Sequence, residues 1–181
     1  DILSFIKAHD CDITLAGFDI GGGTPTSLSE DNFDYLLDIY DEVLGMCKTS
    51  PDFEPSIEGT FNTLSEQKID RIVSSGIKRL SLGVQSTSGE VLEQVNRQNA
   101  QIEDMRHWMR IAWESGIEKI NLDLMYGLQK QSVSAIDADL SVLRALKPQQ
   151  VTLYELRTNM ISQKEIPNKS ELYDQYSHYF S

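Results

Sequence analysis

Residues 18–26 read FDIGGGTPT, and this stretch decides how the rest of the chain is interpreted. An apolar run leads into three glycines and stops at a threonine, a proline and a second threonine. Glycines at the end of a strand indicate that the backbone approaches another group closely. The common nucleotide-binding loops do not fit, because Pro25 stands where a dinucleotide-binding helix would open and no lysine follows Gly23. The stretch therefore predicts a ligand-facing strand end of another kind.

The composition of the 181 residues limits the class of protein. A hydrophobic share of 40% and a charged share of 24% favour one globular domain over residues 1–181. The net charge of −12 argues against nucleic acid or a membrane surface as partner, since basic residues bind both. No apolar run approaches the ~18 residues of a membrane span, and no signal-peptide pattern is found. Two cysteines are typical of a protein of the reducing cytoplasm.

Strand-like and helix-like patterns alternate along the chain. The apolar runs of strand length are residues 13–20, 53–58, 77–84, 117–124 and 151–156. The helical patterns are residues 31–46, 65–75, 102–114, 133–146 and 170–179. Ser29 suits the N-cap of the first helix, and Thr63 with Glu66 has the spacing of a capping box for the second. Five βα units in a row predict an α/β fold with parallel strands, either an incomplete (β/α) barrel or an open doubly wound sheet.

Each predicted strand ends on polar residues, which is where α/β barrels place their chemistry. These strand-end residues are Gly21–Thr24, Glu58, Gln85, Ser86, Asn96–Gln98, Asp123, Glu155, Arg157 and Asn159. One such residue is ordinarily a helix cap, but five strand ends of this kind favour a barrel with a ligand site. Carboxylates can accept hydrogen bonds from sugar hydroxyls or an ammonium group, and an arginine can pair with a carboxylate.

The segments GGGTPT, SIE, RLSLGVQS, VNRQ and NLDLMYGL also carry a resemblance. Their order and near-identical spacing are similar to those of the radical S-adenosylmethionine (SAM) superfamily. Within it, the chain most resembles the branch of oxygen-independent coproporphyrinogen III oxidase and its haem-chaperone relatives. The resemblance covers residues 13–157 and implies a partial (β/α) barrel of about five βα units.

The resemblance implies which residues bind SAM. The residues at matching positions are Gly22, Gly23, Thr24, Glu58, Gln85, Arg97 and Asp123. In the family, the glycine-rich strand end packs against the methionyl part of SAM, and the acidic residue of the next strand holds the ribose hydroxyls. The other three complete the pocket, where the fork geometry of the arginine suits the SAM carboxylate. No catalytic residue is assigned.

The resemblance also implies a [4Fe–4S] cluster, which the family holds with Cys-x-x-x-Cys-x-x-Cys after the first barrel strand. This chain lacks the motif, and Cys11 and Cys47 are interpreted as small hydrophobic residues far apart in the sequence. The three histidines have no metal-ligand spacing, so no metal site is predicted here. We therefore expect a fragment that contains strands two to six of the barrel, with the cluster present only in the intact protein.

The resemblance implies a radical SAM enzyme that acts on a tetrapyrrole, as in oxidative decarboxylation of porphyrinogen propionates. There, a reduced cluster cleaves SAM, and a 5′-deoxyadenosyl radical takes a hydrogen atom from the substrate. The alternatives are a methyltransferase of the same branch, a haem chaperone without turnover, and a fragment without useful ligand affinity. We expect the chain alone to be inactive. We also expect it to self-associate through the edge strand, residues 13–20, unless the amino-terminal helix covers that edge.

Overall fold

The computed structural model describes residues 2–8, 13–93, 96–98, 100–156 and 168–180. The helices are α1 Ile2–Ala8, α2 Glu30–Met46, α3 Glu66–Ser74, α4 Gly89–Glu93, α5 Ile102–Ser115, α6 Val133–Leu146 and α7 Lys169–Phe180. The strands are β1 Thr14–Ile20, β2 Lys48–Gly59, β3 Arg79–Gln85, β4 Lys119–Tyr126 and β5 Gln150–Glu155. The predicted strands and helices are all present. The interpretations of His9, Cys11, Arg157 and Asn159 lie outside the described residues.

The strands form one sheet in the order β1-β2-β3-β4-β5. This order follows from successive βα units, because right-handed crossovers place consecutive strands side by side. The pairs β1–β2 and β4–β5 are parallel. In each of these pairs the carboxyl ends of the two strands therefore lie at the same edge.

Strand β2 begins earlier than predicted. It starts at Lys48, which pairs with Thr14, although the apolar run begins only at Phe53. A register shift opposite residues 15–17 of β1 accommodates Pro51, which has no backbone N–H for the ladder. This part of the strand contains polar residues and a proline, so the apolar pattern did not indicate it.

The amino terminus of α3 also differs from the prediction. The helix begins after Ser65, whose hydroxyl accepts a hydrogen bond from the Lys68 N–H at 3.2 Å. The predicted capping box of Thr63 and Glu66 is therefore wrong. The Thr63 hydroxyl instead donates to the Thr60 carbonyl at 3.0 Å, within a short 3-10 turn. The predicted N-cap Ser29 of α2 is confirmed.

The chain comprises two compact units. Unit 1 contains residues 1–81 and 110–119, and unit 2 contains residues 82–109 and 120–181. The core of unit 1 includes Phe33, Leu37, Tyr40, Val43, Ile57, Ile69 and Ile72. The core of unit 2 includes Leu82, Val84, Met105, Ile120, Leu122, Leu124, Ile136, Leu140 and Tyr176. One domain over residues 1–181 stays a prediction. No helix in the described ranges is long and apolar enough to cross a lipid bilayer.

Helix α1 packs within unit 1. Ile6 is buried, and Lys7 forms an ion pair of 3.1 Å with Glu42 of α2. Ile2 lines an apolar groove together with Phe18 and other residues of β1 and α2. The helix thus lies near β1, which is the first strand in the sheet order. Self-association through this strand stays a prediction.

Candidate functional site

The end of β1 shows why the sequence needs three consecutive glycines. A Cβ at Gly21 would lie 2.7 Å from the carboxyl carbon of Glu58, so a side chain there would displace the Glu58 carboxylate. Gly22 and Gly23 have φ angles of +88° and +66°, which glycine adopts without steric penalty. A Cβ at either would meet nothing within 4 Å. Gly21 therefore leaves room for Glu58, and Gly22 and Gly23 form a turn beside open space. Residues 21–24 are called the glycine turn below.

Glu58 is the carboxylate that meets this glycine turn. It is exposed near the end of β2, and its Oε2 accepts a hydrogen bond from the Gly22 N–H at 3.4 Å. It does not cap α3, because Ser65 takes that position. Thr24 is half-buried at the end of the turn, where its carbonyl accepts a hydrogen bond from the Ser27 N–H at 2.8 Å. Unit 1 thus brings a carboxylate and open glycine backbone together.

Hydrogen bonds among Thr26, Thr63 and Lys68, called the Lys68 tie below, hold the glycine turn against the β2–α3 connection. The hydroxyl oxygens of Thr26 and Thr63 lie 2.6 Å apart, and Thr26 is fully buried. Lys68 Nζ donates to the Thr26 carbonyl at 2.6 Å and to the Thr63 carbonyl at 3.3 Å. Gly59 is needed beside this tie, because a Cβ there would lie 2.7 Å from Thr26 Oγ1. Sequence reasoning missed Lys68, since a lysine near a helix start usually indicates only a solvated surface.

In unit 2, β3 ends in a strained turn at Gln85. The φ angle of Gln85 is +66°, and the Ser86 N–H donates to the Val84 carbonyl at 2.8 Å. A hydrogen bond between residues two apart around a positive φ is typical of the classic γ-turn, which is rare and strained. Such strain persists only where the surroundings impose it. The half-buried Gln85 side chain therefore starts from a backbone geometry that its neighbours enforce.

Asp123 lies half-buried on β4, next to a row of polar side chains. The Asn121 amide donates to Asp123 Oδ1 at 2.7 Å, and Thr152 of β5 donates to Asn121 Oδ1 at 3.0 Å. Asn121 is fully buried, so it has little freedom to move. Residues two apart on a strand share a face, which explains why these side chains meet. The row fixes the orientation of the Asp123 carboxylate.

Arg97 is exposed and follows α4, where its N–H donates to the Leu92 carbonyl at 3.0 Å. It lines a cavity of about 510 Å³, whose other described walls come from α4, α5, α6, Thr87, Gln98, Ala100 and Gln101. Gln85 and Asp123, although both are described, do not line this cavity. Their convergence with Arg97, and the joining of these three with the unit 1 residues into one pocket, stays a prediction.

The fifth strand end has a structural role. Lys169 of α7 donates to Glu155 Oε1 at 2.8 Å and to the Leu156 carbonyl at 2.7 Å. The hydrogen bond from Lys169 lowers the pKa of Glu155. This carboxylate therefore fastens α7 to β5.

A buried amide holds the turn after β4. Gln131 Oε1 accepts hydrogen bonds from the N–H groups of Gly127 at 2.9 Å and Leu128 at 3.3 Å. Its Nε2 donates to the Met125 carbonyl at 2.9 Å. Gln131 is only 3% exposed, so the amide substitutes for water at three backbone groups. Sequence reasoning missed this residue, because a glutamine in a polar loop gives no signal of burial.

Asp139 of α6 is a second buried polar residue that sequence reasoning missed. It is fully buried and accepts hydrogen bonds from Ser86, Thr87 and Tyr176. Burial raises the pKa of Asp139, against the opposing effect of these hydrogen bonds. A signal existed in the sequence, since Asp139 falls three residues after Ile136 on the apolar stripe of the helix.

Comparisons with known proteins identify the family. The model of the Radical SAM superfamily matches residues 1–142. The chain belongs to the radical SAM superfamily. This match includes the glycine turn, Glu58, Gln85, Arg97 and Asp123.

Two curated relatives represent the branch. The chain is 36% identical over 138 residues to the heme chaperone HemW of Bacillus subtilis (strain 168), covering 76% of the chain and 35% of the relative. It is 30% identical over 153 residues to the oxygen-independent coproporphyrinogen III oxidase of Helicobacter pylori (strain J99 / ATCC 700824), covering 84% and 33%. The chain therefore spans about one third of the length of these relatives.

Solved structures agree on the fold. Coproporphyrinogen III oxidase (HemN) from Escherichia coli, a radical SAM enzyme, aligns with a TM-score of 0.76 at 26% identity, over 91% of this chain and 39% of that one. The radical SAM methyltransferase TsrM from Kitasatospora setae aligns with a TM-score of 0.60 at 15% identity, over 83% and 29%, which shows the fold alone. The predicted incomplete (β/α) barrel and the predicted branch are confirmed.

Proposed function

We propose that this chain forms the SAM-binding core of a radical SAM enzyme of the HemN/HemW branch that acts on a tetrapyrrole. The observation that carries the proposal is the glycine turn, where Gly21 leaves room for Glu58 and the Gly22 N–H meets the Glu58 carboxylate. SAM presents an ammonium group, a carboxylate and two ribose hydroxyls. An exposed carboxylate beside open backbone fits the groups of this ligand that donate hydrogen bonds.

The residues of unit 1 take the first part of the ligand in this proposal. Gly22, Gly23 and Thr24 line the methionine end, where positive φ angles turn the glycine backbone toward open space. Glu58 accepts hydrogen bonds from the ribose hydroxyls. The tie through Lys68 keeps the turn and the end of β2 in a fixed relation, which reduces the ordering needed on binding.

The residues of unit 2 complete the pocket in this proposal. Arg97 pairs with the SAM carboxylate through its planar guanidinium. Asp123 is held by Asn121 in an orientation suited to accept from a donor of the ligand. Gln85 supplies an amide that both donates and accepts. The exposure of Arg97 is consistent with a side chain that settles when an anion binds.

The chemistry itself belongs to the cofactor. SAM together with a reduced [4Fe–4S] cluster supplies a carbon radical that takes a hydrogen atom from a substrate, and the protein contributes binding and orientation. In the described part of the chain, no three His, Cys, Asp or Glu side chains are grouped to hold a metal ion. We therefore assign no cluster ligand here and place the cluster in the intact protein, in a cytoplasmic setting consistent with the cysteine content.

Oxidative decarboxylation of a porphyrinogen is the reaction we propose, since both the Helicobacter relative and the HemN structure are named coproporphyrinogen III oxidase. A haem chaperone without turnover is the second candidate, because the HemW relative from Bacillus subtilis is 36% identical. The methyltransferase alternative rests on likeness of fold alone.

The test uses the full-length protein, purified without oxygen and reconstituted with iron and sulfide. We expect SAM binding, and 5′-deoxyadenosine formed in proportion to decarboxylated product when coproporphyrinogen III and a reductant are added. Haem absorbance bands on titration with haem, without deoxyadenosine, would establish the chaperone instead. Absence of SAM binding by the reconstituted protein would overturn the proposal.

A further inference from the structure

The Asp139 carboxylate is the centre of a buried hydrogen-bond cluster in unit 2. Its Oδ1 accepts from the Thr87 N–H at 2.5 Å and from the Thr87 hydroxyl at 2.7 Å. Its Oδ2 accepts from the Tyr176 hydroxyl of α7 at 2.7 Å. The Ser86 hydroxyl lies 3.2 Å and 3.3 Å from the two oxygens. One side chain of α6 thus contacts both α7 and the turn after β3.

Burial makes these contacts strong. Asp139, Ser86 and Tyr176 are each fully buried, so water does not compete for the carboxylate. A buried carboxylate is tolerated only when donors satisfy it, and hydrogen bonds to a charged acceptor are about twice as strong as neutral ones. The position of the turn after β3 is therefore coupled to the position of this carboxylate.

The coupled turn is the strained one. Ser86 and Thr87 directly follow Gln85, whose φ of +66° is unusual for a residue with a side chain. The Ser86 hydroxyl also accepts from the Ser88 N–H at 3.2 Å, which extends the cluster along the turn. A strained backbone needs surrounding contacts to impose it. Asp139 supplies such contacts at Ser86 and Thr87.

We propose that Asp139 is a positioning residue for the SAM site, since its buried carboxylate holds the γ-turn that presents Gln85. The inference rests on the assignment of Gln85 to the SAM pocket made above. Asp139 contacts no ligand in this scheme. It fixes the backbone of the neighbouring strand end, so that Gln85 is already oriented when SAM arrives.

The test compares two substitutions at one cluster in the full-length, cluster-loaded protein. Asp139→Asn keeps the shape but removes the negative charge, so the hydrogen bonds from the Thr87 N–H and hydroxyl are no longer charge-assisted and become weaker. Tyr176→Phe is the matched control, because it removes a hydrogen bond to the same carboxylate and leaves the Thr87 contacts in place. Thr87→Val and Thr87→Ser form a second pair, of which only the serine keeps the hydroxyl.

The measurements are the Kd for SAM by equilibrium dialysis, amide hydrogen exchange of residues 84–89, and urea unfolding. We expect Asp139→Asn to weaken SAM binding by roughly tenfold, the effect of replacing charge-assisted hydrogen bonds from Thr87 with neutral ones, and to accelerate exchange of this segment. Tyr176→Phe is expected to lower stability while the Kd changes by less than about twofold. Thr87→Ser should restore the SAM affinity that Thr87→Val loses.

Two results would overturn the inference. One is an equal loss of SAM affinity in Asp139→Asn and Tyr176→Phe at equal loss of stability, which would make Asp139 merely structural. The other is unchanged exchange of residues 84–89 in Asp139→Asn. Failure of the proposed function is seen separately, as absence of SAM binding by the unsubstituted protein. In that case the exchange experiment, which needs no ligand, still decides whether Asp139 holds the turn.

Discussion

The glycine turn of unit 1 and the strand ends of unit 2 reach a fixed geometry by opposite means. In unit 1, side chains are left out, so that Gly21 makes room for Glu58 and Gly59 makes room for Thr26. In unit 2, buried polar side chains are added, so that Asp139 and Gln131 bind turns whose backbone groups need partners. Both devices hold a strand end beside a predicted ligand residue.

The difference determines how each region should fail. Adding a side chain to the glycine turn displaces the Glu58 carboxylate, which can move at little cost in stability because it ends a flexible side chain. Removing a polar group from unit 2 leaves buried donors or acceptors unpaired, and such groups destabilise the folded state. We therefore expect substitutions in the glycine turn of unit 1 to act mainly on ligand binding, and removal of buried polar groups in unit 2 to lower stability, with an effect on binding only where the group holds a ligand residue, as proposed for Asp139.

The largest effect is expected for Gln131→Leu. Three backbone groups, at Met125, Gly127 and Leu128, lose their hydrogen-bond partner. At about 1–3 kcal/mol for each unpaired buried group, the buried N–H groups of Gly127 and Leu128 alone should lower the free energy of unfolding by at least about 2 kcal/mol. Urea unfolding measures this. Gln129→Leu in the same turn is the control, and an equal loss in both would show that the amide of Gln131 is not what holds the turn.

Lys68→Met should have the next largest effect on stability. It is an exception to the comparison, because Lys68 lies in unit 1 and yet its loss should lower stability. It removes the donor to the carbonyls of Thr26 and Thr63 in unit 1. Hydrogen bonds from a charged group contribute about 1.5–3 kcal/mol, so stability should fall by about that amount. Lys7→Met, which breaks an exposed ion pair with Glu42, should change it by less than about 1 kcal/mol. Indistinguishable urea midpoints for the two variants would contradict the stabilising role of the Lys68 hydrogen bonds.

Gly21→Ala is expected to separate binding from stability. The new Cβ would lie 2.7 Å from the Glu58 carboxyl carbon, so the carboxylate must leave the Gly22 N–H. SAM affinity should fall about tenfold, which is about 1.4 kcal/mol, with a smaller change in unfolding. Gly45→Ala is the control, because Gly45 lies exposed in α2 with open space around it and alanine favours a helix. Full SAM affinity in Gly21→Ala would mean that the position of Glu58 does not matter.

The smallest effect is expected for Tyr40→Phe. Among the described residues, the buried Tyr40 hydroxyl has no hydrogen-bond partner, so its removal should leave stability at neutral pH unchanged or raise it by up to about 1 kcal/mol. Tyr176→Phe, whose hydroxyl donates to Asp139, should lower stability by about 1.5–3 kcal/mol. Equal urea midpoints for these two variants would show that the hydrogen bond from Tyr176 to Asp139 contributes no more to stability than the unpaired Tyr40 hydroxyl.

The same tyrosine predicts a pH dependence. Burial, and then the charge of Asp41, raise the pKa of Tyr40 to about 12 from its ordinary value of 10.0. The folded state therefore retains this proton where the unfolded state loses it, so stability is complete below about pH 10 and falls between about pH 10 and 12. Tyr40→Phe should lose less stability than the unsubstituted protein over that interval, as measured by urea unfolding at a series of pH values. An equal fall in the free energy of unfolding of the two proteins between about pH 10 and 12 would show that Tyr40 does not contribute to this pH dependence.

The sequence predicts those features that depend on local pattern. Apolar runs and helical spacing locate the strands and helices, and the three glycines indicate the turn beside Glu58. The early start of β2 was missed because Pro51 and polar neighbours disguise it. The left-handed geometry of Gln85 and the roles of Lys68, Gln131 and Asp139 depend on partners that only the fold brings near. For Gln85 in particular, nothing in the residue type signals a positive φ.

The most direct test of the central claim, that the strand ends form a SAM site, is the SAM affinity of Glu58→Gln in the full-length, cluster-loaded protein. Glu54→Gln is the matched control, because Glu54 lies exposed on the same strand in an ion pair with Lys119. Loss of a charge-assisted acceptor is worth about 1.5–3 kcal/mol, so Glu58→Gln should weaken binding at least about tenfold without a comparable loss of stability. Glu54→Gln should bind SAM as the unsubstituted protein does. Unchanged affinity in Glu58→Gln would contradict the account.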